Sequence, residues 1–289
     1  MVKIDGKEIA KKIIEDLKSK PKPKKILAAI LVGKNPTSLS FLNQKEKVAK
    51  ELGVDFRIYQ FPENIKNDDL RREVNRIANQ KPVGGVIVQL PLPEHLNKYY
   101  VLNPIPREKD VDVLSERALG AFYNGRNPVL PPAVGTVETI LTTYNLQLTT
   151  LKVAVVGLGF LVGKPIAVWL MGKCSEIYLL DKGGDFKILK NADLVITGVG
   201  QSYLIKPEML KSGTGVIDFG YSAPQARLQT NADYTRTNAE KIEWHGDFDV
   251  SSIENCKLEI ENLWYTPTPG GTGPILVAKI FENFYQLAS

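Results

Sequence analysis

Ser38, Phe41 and Lys45 are separated by three and four residues, so on a helix they share one face. A lysine beside an aromatic ring and apolar neighbours loses solvation, and its pKa falls toward the range where an amine exchanges protons near neutrality. A solvated lysine on a basic helix has the same local sequence, so spacing alone leaves both readings open. Gln89 opens QLPLP (89–93), where two prolines stop strand pairing and leave the glutamine at the carboxyl edge of a sheet. In KDVD (109–112), Asp110 and Asp112 share a face if the segment is extended. The sharpest local pattern is VAVVGLGFLVGKP (153–165), a strand running through a glycine-rich turn into a helix. Gly157 permits the tight turn, Gly159 lets backbone approach a pyrophosphate, and Gly163 allows close helix–strand packing beside a helix N-terminus with free N–H groups. The spacing is GxGxxxG, one residue longer than GxGxxG, and a packing turn in any doubly wound domain shares it. Asp181 stands 18 residues after Gly163, where a carboxylate accepts from an adenosine ribose hydroxyl and repels a 2′-phosphate. Lys164 and Lys182 offset that charge, and Asp181 also fits a turn cap before Gly183 and Gly184, so charge does not choose between NAD and NADP.

These residues need elements to hold them. Asp5 is expected to cap a helix carrying Ile9, Ile13, Ile14 and Leu17 on one face. KILAAILVG (25–33) is continuously apolar, as in a strand buried on both faces. Thr37 or Ser38 is expected to cap the next helix, with Gly53 ending it. A strand at 54–61, a helix from Asn67 with Leu70, Val74 and Ile77 inward, and a strand at 84–93 follow. After a crossing loop at 124–134 and a helix through Val137, Ile140 and Leu141, a second series has strands at 151–159, 176–181, 192–200 and 213–220. Each of these strands ends in glycine or aspartate, where a ligand crevice lies in an open α/β sheet. An amphipathic helix closes the chain. The alternation predicts an α/β protein with parallel sheets in two domains.

Composition narrows the classes. The 289 residues carry 37 basic and 32 acidic side chains, a net charge of +5 without basic–aromatic clustering, which disfavours a nucleic-acid groove. Two histidines and two cysteines, with no CxxC or HxxxH spacing, disfavour a zinc site, a disulfide framework and a Ser-His-Asp triad. No uncharged apolar run is long enough for a membrane span, and the start lacks a signal peptide's apolar core, so a cytoplasmic protein is expected.

Taken in order, SFLNQKEK (40–47), VQLPLPEH (88–95), KDVD (109–112), GLGFLVGKP (157–165), GVIDFG (215–220) and TPTPGGTGP (266–274) make the chain resemble the bifunctional methylenetetrahydrofolate dehydrogenase/methenyltetrahydrofolate cyclohydrolase (FolD) family over nearly its whole length. The resemblance implies an N-terminal αβα folate-binding catalytic domain over 1–130, completed by a C-terminal helix at 271–289, and a Rossmann dinucleotide-binding domain over 131–270. It implies oxidation of 5,10-methylenetetrahydrofolate to the methenyl compound with NADP, then hydrolysis to 10-formyltetrahydrofolate, feeding purine, methionine and histidine biosynthesis. It makes Lys45 the cyclohydrolase lysine, Gln89 the residue that tunes it, and Asp112 the residue that holds the pterin. Phe41, Pro269, Gly270 and Gly271 are then substrate contacts. Gly157, Leu158, Gly159, Gly163, Asp181, Lys182, Gly200 and Tyr221 are then cofactor contacts. No metal, nucleic acid or membrane is implied, and a homodimer through the dinucleotide domain is.

The chain departs from the family pattern at several of these positions. Phe41 replaces a tyrosine, Leu158 and Gly159 replace the arginine and serine that commonly contact a 2′-phosphate, and PPAVGT (131–136) replaces PCTPxG. Val113 replaces a glycine, Thr272 a valine and Leu276 a threonine. The alternative is a monofunctional NAD-dependent methylenetetrahydrofolate dehydrogenase, which fits Phe41, Leu158 and Asp181. A different two-domain oxidoreductase fits the fold but leaves QLPLP and TPxPGGxGP unexplained, and an RNA-binding protein lacks its charge pattern.

Overall fold

The computed structural model describes residues 2–222, 244–253 and 262–289. In chain order the elements are β1 (Val2–Lys3), α1 (Gly6–Ser19), β2 (Ile26–Val32), α2 (Pro36–Leu52), β3 (Asp55–Phe61), α3 (Asn67–Ala78), β4 (Val83–Val88), α4 (Lys98–Leu102), α5 (Glu116–Tyr123) and α6 (Pro132–Thr143). The second half supplies β5 (Lys152–Val156), α7 (Gly163–Leu170), β6 (Glu176–Leu180), β7 (Leu194–Thr197), β8 (Gly215–Asp218), β9 (Trp264–Tyr265) and α8 (Thr272–Ala288). No helix among the described residues is long and apolar enough to cross a membrane.

The chain forms two compact α/β units. One groups residues 10–135 with 276–289, and the other groups 1–9 with 136–275. The family resemblance implies a division at 130/131 and 270/271. The units differ from that division most at the start, because β1 pairs in parallel with β9 and so extends the second unit's sheet. A two-residue strand carries no periodicity from which that pairing could be read.

In the first unit β3, β2 and β4 form a parallel sheet in that order. Every residue of central β2 is buried, as expected for a strand covered on both faces. Its core joins Leu27, Ala29 and Leu31 to Ala10, Ile14 and Leu17 of α1, Leu42 and Ala49 of α2, and Phe281 and Phe284 of α8. Asp5 caps α1 as expected, its Oδ1 accepting from Lys7 N at 2.9 Å. The start of α2 differs from expectation: Asn35, not Thr37 or Ser38, is the cap, its Oδ1 accepting from Ser38 N at 3.1 Å. Pro36 explains the shift, since its missing N–H and fixed φ suit the first helical position. Gly53 ends α2 at φ 66°.

The second unit holds a six-stranded parallel sheet in the order β1-β9-β8-β7-β5-β6. The chain runs outward from β5 to β6, then returns to β7 on the other side of β5. That reversal is the topological switch point at which α/β sheets bind nucleotides. The core beneath it includes Ala154, Val156, Val195, Val216, Phe248 and Tyr265.

Candidate functional site

Lys45 is 7% exposed on α2, and Gln89, also 7% exposed, follows β4. The Lys45 Nζ donates to Gln89 Oε1 at 2.9 Å across 44 residues of sequence. Gln89 is held at both ends: its backbone N donates to Ile30 O at 2.9 Å, and its Nε2 donates to Leu90 O at 2.8 Å. The glutamine therefore presents its oxygen to the amine and cannot turn away without losing a bond. The Leu90–Pro91 peptide is cis, a feature nothing in the sequence reading specified.

Asp112 lies in the turn after the strand-like contact of Asp110 with Val86. Asp110 and Asp112 do not share a role. The Asp110 carboxylate faces inward, accepting from Leu114 N at 3.0 Å and Ser115 N at 2.7 Å, and so shapes the turn. Asn283 of α8 braces the same turn, its Nδ2 donating to Val111 O and Leu130 O, each at 2.8 Å. Val113 occupies the left-handed region at φ 57°, where the family pattern has glycine. The turn thus keeps a conformation that a β-branched residue adopts only under strain.

The electrostatics follow from burial. Desolvation pushes the Lys45 amine below the ordinary lysine value, with the Asp112 charge opposing it. Desolvation pushes the half-buried Asp112 up to about 6, with Lys45 drawing it down and Asp110 pushing it further up. A buried amine of lowered proton affinity next to a carboxyl of raised affinity is an arrangement suited to proton transfer near neutral pH. Phe41 is half-buried one helical turn before Lys45. Ser38, 2% exposed, has a buried Oγ with no hydrogen-bond partner among the described residues.

In the second unit a cavity of about 450 Å³ opens at the switch point. Gly157, Leu158, Gly159, Asp181, Lys182, Gly183, Phe186, Gly198, Val199 and Gln201 are among its lining residues. Gly157 has φ 83°, and a Cβ on Gly163 would stand 1.9 Å from the Gly157 carbonyl oxygen, so both glycines are needed for the turn to close onto α7. The wall at Gly159 is open, with nothing within 4 Å of a Cβ there. Asp181 spends one oxygen on its own turn, accepting from Lys182 N at 2.9 Å, and still lines the cavity. These features fit a dinucleotide. Gly200 lies between lining residues Val199 and Gln201 without lining the cavity itself, and Tyr221 stacks on Trp244 at 4.3 Å.

The structure therefore brings Lys45, Gln89 and Asp112 together in one unit, and Gly157–Gly159 with Asp181 and Lys182 in the other. Pro269, Gly270 and Gly271 belong to the second unit, where the Gly271 carbonyl packs so closely on Gly6 that a Cβ there would overlap it. The Thr268–Pro269 peptide is cis, and Gly270 has φ 100°. Sequence reasoning missed Asn283, Asp218 and Asp247. All three are buried polar residues, and each has hydrogen-bond partners far away in the chain.

Residues 4–112 match the family model described as tetrahydrofolate dehydrogenase/cyclohydrolase, catalytic domain. Residues 131–289 match its NAD(P)-binding domain. A bifunctional protein FolD of Helicobacter acinonychis is 32% identical over 98% of this chain and 93% of its own length. One of Clostridium botulinum is 29% identical over 97% and 95%. The crystal structure of the bifunctional FolD enzyme of Campylobacter jejuni superposes with a TM-score of 0.87 at 29% identity, covering 100% of this chain and 98% of that one. The Trypanosoma brucei FolD structure, described as complexed with NADP and an inhibitor, gives 0.86 at 26% identity over 99% and 97%. With both halves matched in order, the chain belongs to the tetrahydrofolate dehydrogenase/cyclohydrolase family.

Proposed function

We propose that the protein oxidises 5,10-methylenetetrahydrofolate to the 5,10-methenyl compound with NADP and hydrolyses that product to 10-formyltetrahydrofolate. The observation that carries this reading is the buried Lys45–Gln89 pair at 2.9 Å with Asp112 electrostatically coupled to the same amine. When bound, the nicotinamide supplies the hydride acceptor. The oxidation moves no proton to the enzyme, so the chain's part is alignment. Asp112 accepts from the pterin, and the Phe41 ring covers its face.

Hydrolysis asks more of the protein. Water adds to the methenyl carbon, which the two flanking nitrogens make electrophilic. Both protons of that water leave its oxygen as the formyl carbonyl forms: one reaches the N5 released when the bridge opens, and the other goes to solvent. Lys45 takes the first in its neutral form and returns it as ammonium. Gln89 Oε1 accepts from Nζ and so fixes the amine's remaining direction, while the Asp112 charge keeps the ammonium form within reach. The phenylalanine at position 41 stacks without a hydroxyl, leaving the proton work to Lys45.

Leu158 and Asp181 on the cavity wall also fit the alternative, a monofunctional NAD-dependent enzyme. Lys182 on the same wall is the cation available to a 2′-phosphate, and with it we retain NADP. Gly157, Gly159 and Gly163 would carry the pyrophosphate turn, and Gly200 and Tyr221 the far side of the crevice. We further infer a cytoplasmic homodimer through the dinucleotide unit, since β6 ends its sheet and Leu179 on it is 46% exposed. Initial rates with methylenetetrahydrofolate and either NADP or NAD, following methenyl formation and decay, test the reading. Formation followed by decay supports it, and formation without enzymatic decay selects the monofunctional alternative.

A further inference from the structure

The chemistry above uses neither of two buried carboxyl groups in the second unit, Asp218 at the end of β8 and Asp247 beyond it. Asp247 is fully buried, and its carboxylate accepts four hydrogen bonds. Its Oδ2 takes Thr197 Oγ1 at 2.7 Å and Val199 N at 2.7 Å, and its Oδ1 takes Gly200 N at 2.9 Å and Gln201 N at 2.8 Å. Three consecutive backbone N–H groups are thus aimed at one side chain. A buried charge is costly unless so satisfied, which makes the arrangement stiff in both directions: the loop fixes the acid and the acid fixes the loop.

That loop is the segment leaving β7 at the switch point, and Gly198, Val199 and Gln201 line the cavity. Asp181 ends the strand on the opposite side of β5, where the adenosine half of a dinucleotide lies. The loop after β7 therefore faces the other half, beyond the pyrophosphate turn. Asp247 is held from behind as well. Ile205 N donates to its carbonyl at 2.9 Å, and Asp218 Oδ2 accepts from the following Phe248 N at 2.9 Å. Asp218 also reaches the glycine loop, since Thr272 Oγ1 donates to its carbonyl oxygen at 2.8 Å. One pair of acids thus ties the wall of the nucleotide cavity to the start of the helix that follows Gly270 and Gly271.

We propose that Asp247 is a positioning residue for the dehydrogenase step, holding Val199–Gln201 in the conformation that receives the nicotinamide half of the dinucleotide. The inference rests on the function proposed above. The test is Asp247→Asn in the full-length chain. The amide turns an NH2 group toward N–H donors and leaves at least one of them unpaired. The expected result is a rise in dinucleotide KM of about tenfold or more, with methenyl hydrolysis, assayed without dinucleotide, kept within about twofold. Unchanged dehydrogenase constants overturn the proposal, as does proportional loss of both activities with a lowered Tm, the pattern of a purely structural residue. Thr197→Val removes one of the four donors at nearly constant volume and is the second variant. It is expected to raise the dinucleotide KM by less than Asp247→Asn, and wild-type constants for it overturn the proposal should Asp247→Asn not fold. An inactive wild-type enzyme refutes the proposed function itself, whereas an active wild type matched by both variants refutes only the role of Asp247.

Discussion

Lys45→Met separates the two activities, and its consequences can be worked from three contacts. The catalytic one is the largest. A positioned proton-transfer group contributes about 10²–10⁴-fold, so methenyl hydrolysis should fall by that factor, or roughly 3–5 kcal/mol of barrier. The structural consequence is small. Methionine has nearly the length of lysine and no charge to desolvate, while Gln89 Oε1 loses its donor at a cost of about 1–3 kcal/mol. These effects oppose each other, and the variant should fold. The third contact is electrostatic. Lys45 draws the Asp112 carboxyl down, so without it burial takes that group above about 6. More Asp112 is then protonated at neutrality, and folate KM in the dehydrogenase assay should rise and recover as pH is raised. The assay follows methenyl absorbance with methylenetetrahydrofolate and dinucleotide, then with the methenyl compound alone, across pH. Equal loss of both activities, with a pH-independent folate KM, would refute the assignment of proton chemistry to Lys45.

Other outcomes follow from the same geometry. Asp112→Ala removes a charged hydrogen-bond acceptor worth about 1.5–3 kcal/mol, so folate KM should rise about 10–100-fold in both reactions. Unchanged folate affinity by fluorescence titration would remove its role. Val113→Gly relieves left-handed strain of about 1–2 kcal/mol but gives up a fully buried side chain worth about 1.5–3 and adds backbone entropy of about 0.5–1, for a net loss of about 1–2 kcal/mol. Urea unfolding checks this, and a stabilised variant would mean that strain dominates. Burial and the neighbouring Asp247 charge push Asp218 from its ordinary 3.8 up to about 7. The folded protein therefore keeps a proton that the unfolded chain releases between those values, so this group's stability is full below 3.8 and lost as pH rises through about 7. Thermal unfolding should show Tm falling across that window in wild type and a flatter profile in Asp218→Asn. Equal slopes would contradict the assignment.

Much of the fold could be read from periodicity. The buried run of β2, the inward face of α3 and the strand–turn–helix at Gly157 are local patterns, and each stands where its pattern put it. The strand order was not legible, because pairing of β1 with β9 joins residues over 260 positions apart through two-residue strands. The cap of α2 departs from the expected Thr37 or Ser38 because Pro36 suits the first helical position and so makes Asn35 the cap. At the site, the bland reading of Lys45 as a solvated lysine outweighs its chemical one on local sequence, and only its approach to Gln89 across 44 residues distinguishes them. Resemblance to a family makes that connection where spacing does not. Asp247 had no such guide, since an acid in an irregular segment carries no period.

The account rests on where reduced folate binds. A crystal structure of the full chain with a non-hydrolysable bridged folate analogue is the most direct test. The account predicts pterin density hydrogen-bonded to Asp112, beside the Phe41 ring, with the Lys45 amine within hydrogen-bonding reach of the bridge carbon's substituents. Density elsewhere, or a Lys45 amine still engaged only with Gln89 and turned from the ligand, would contradict it.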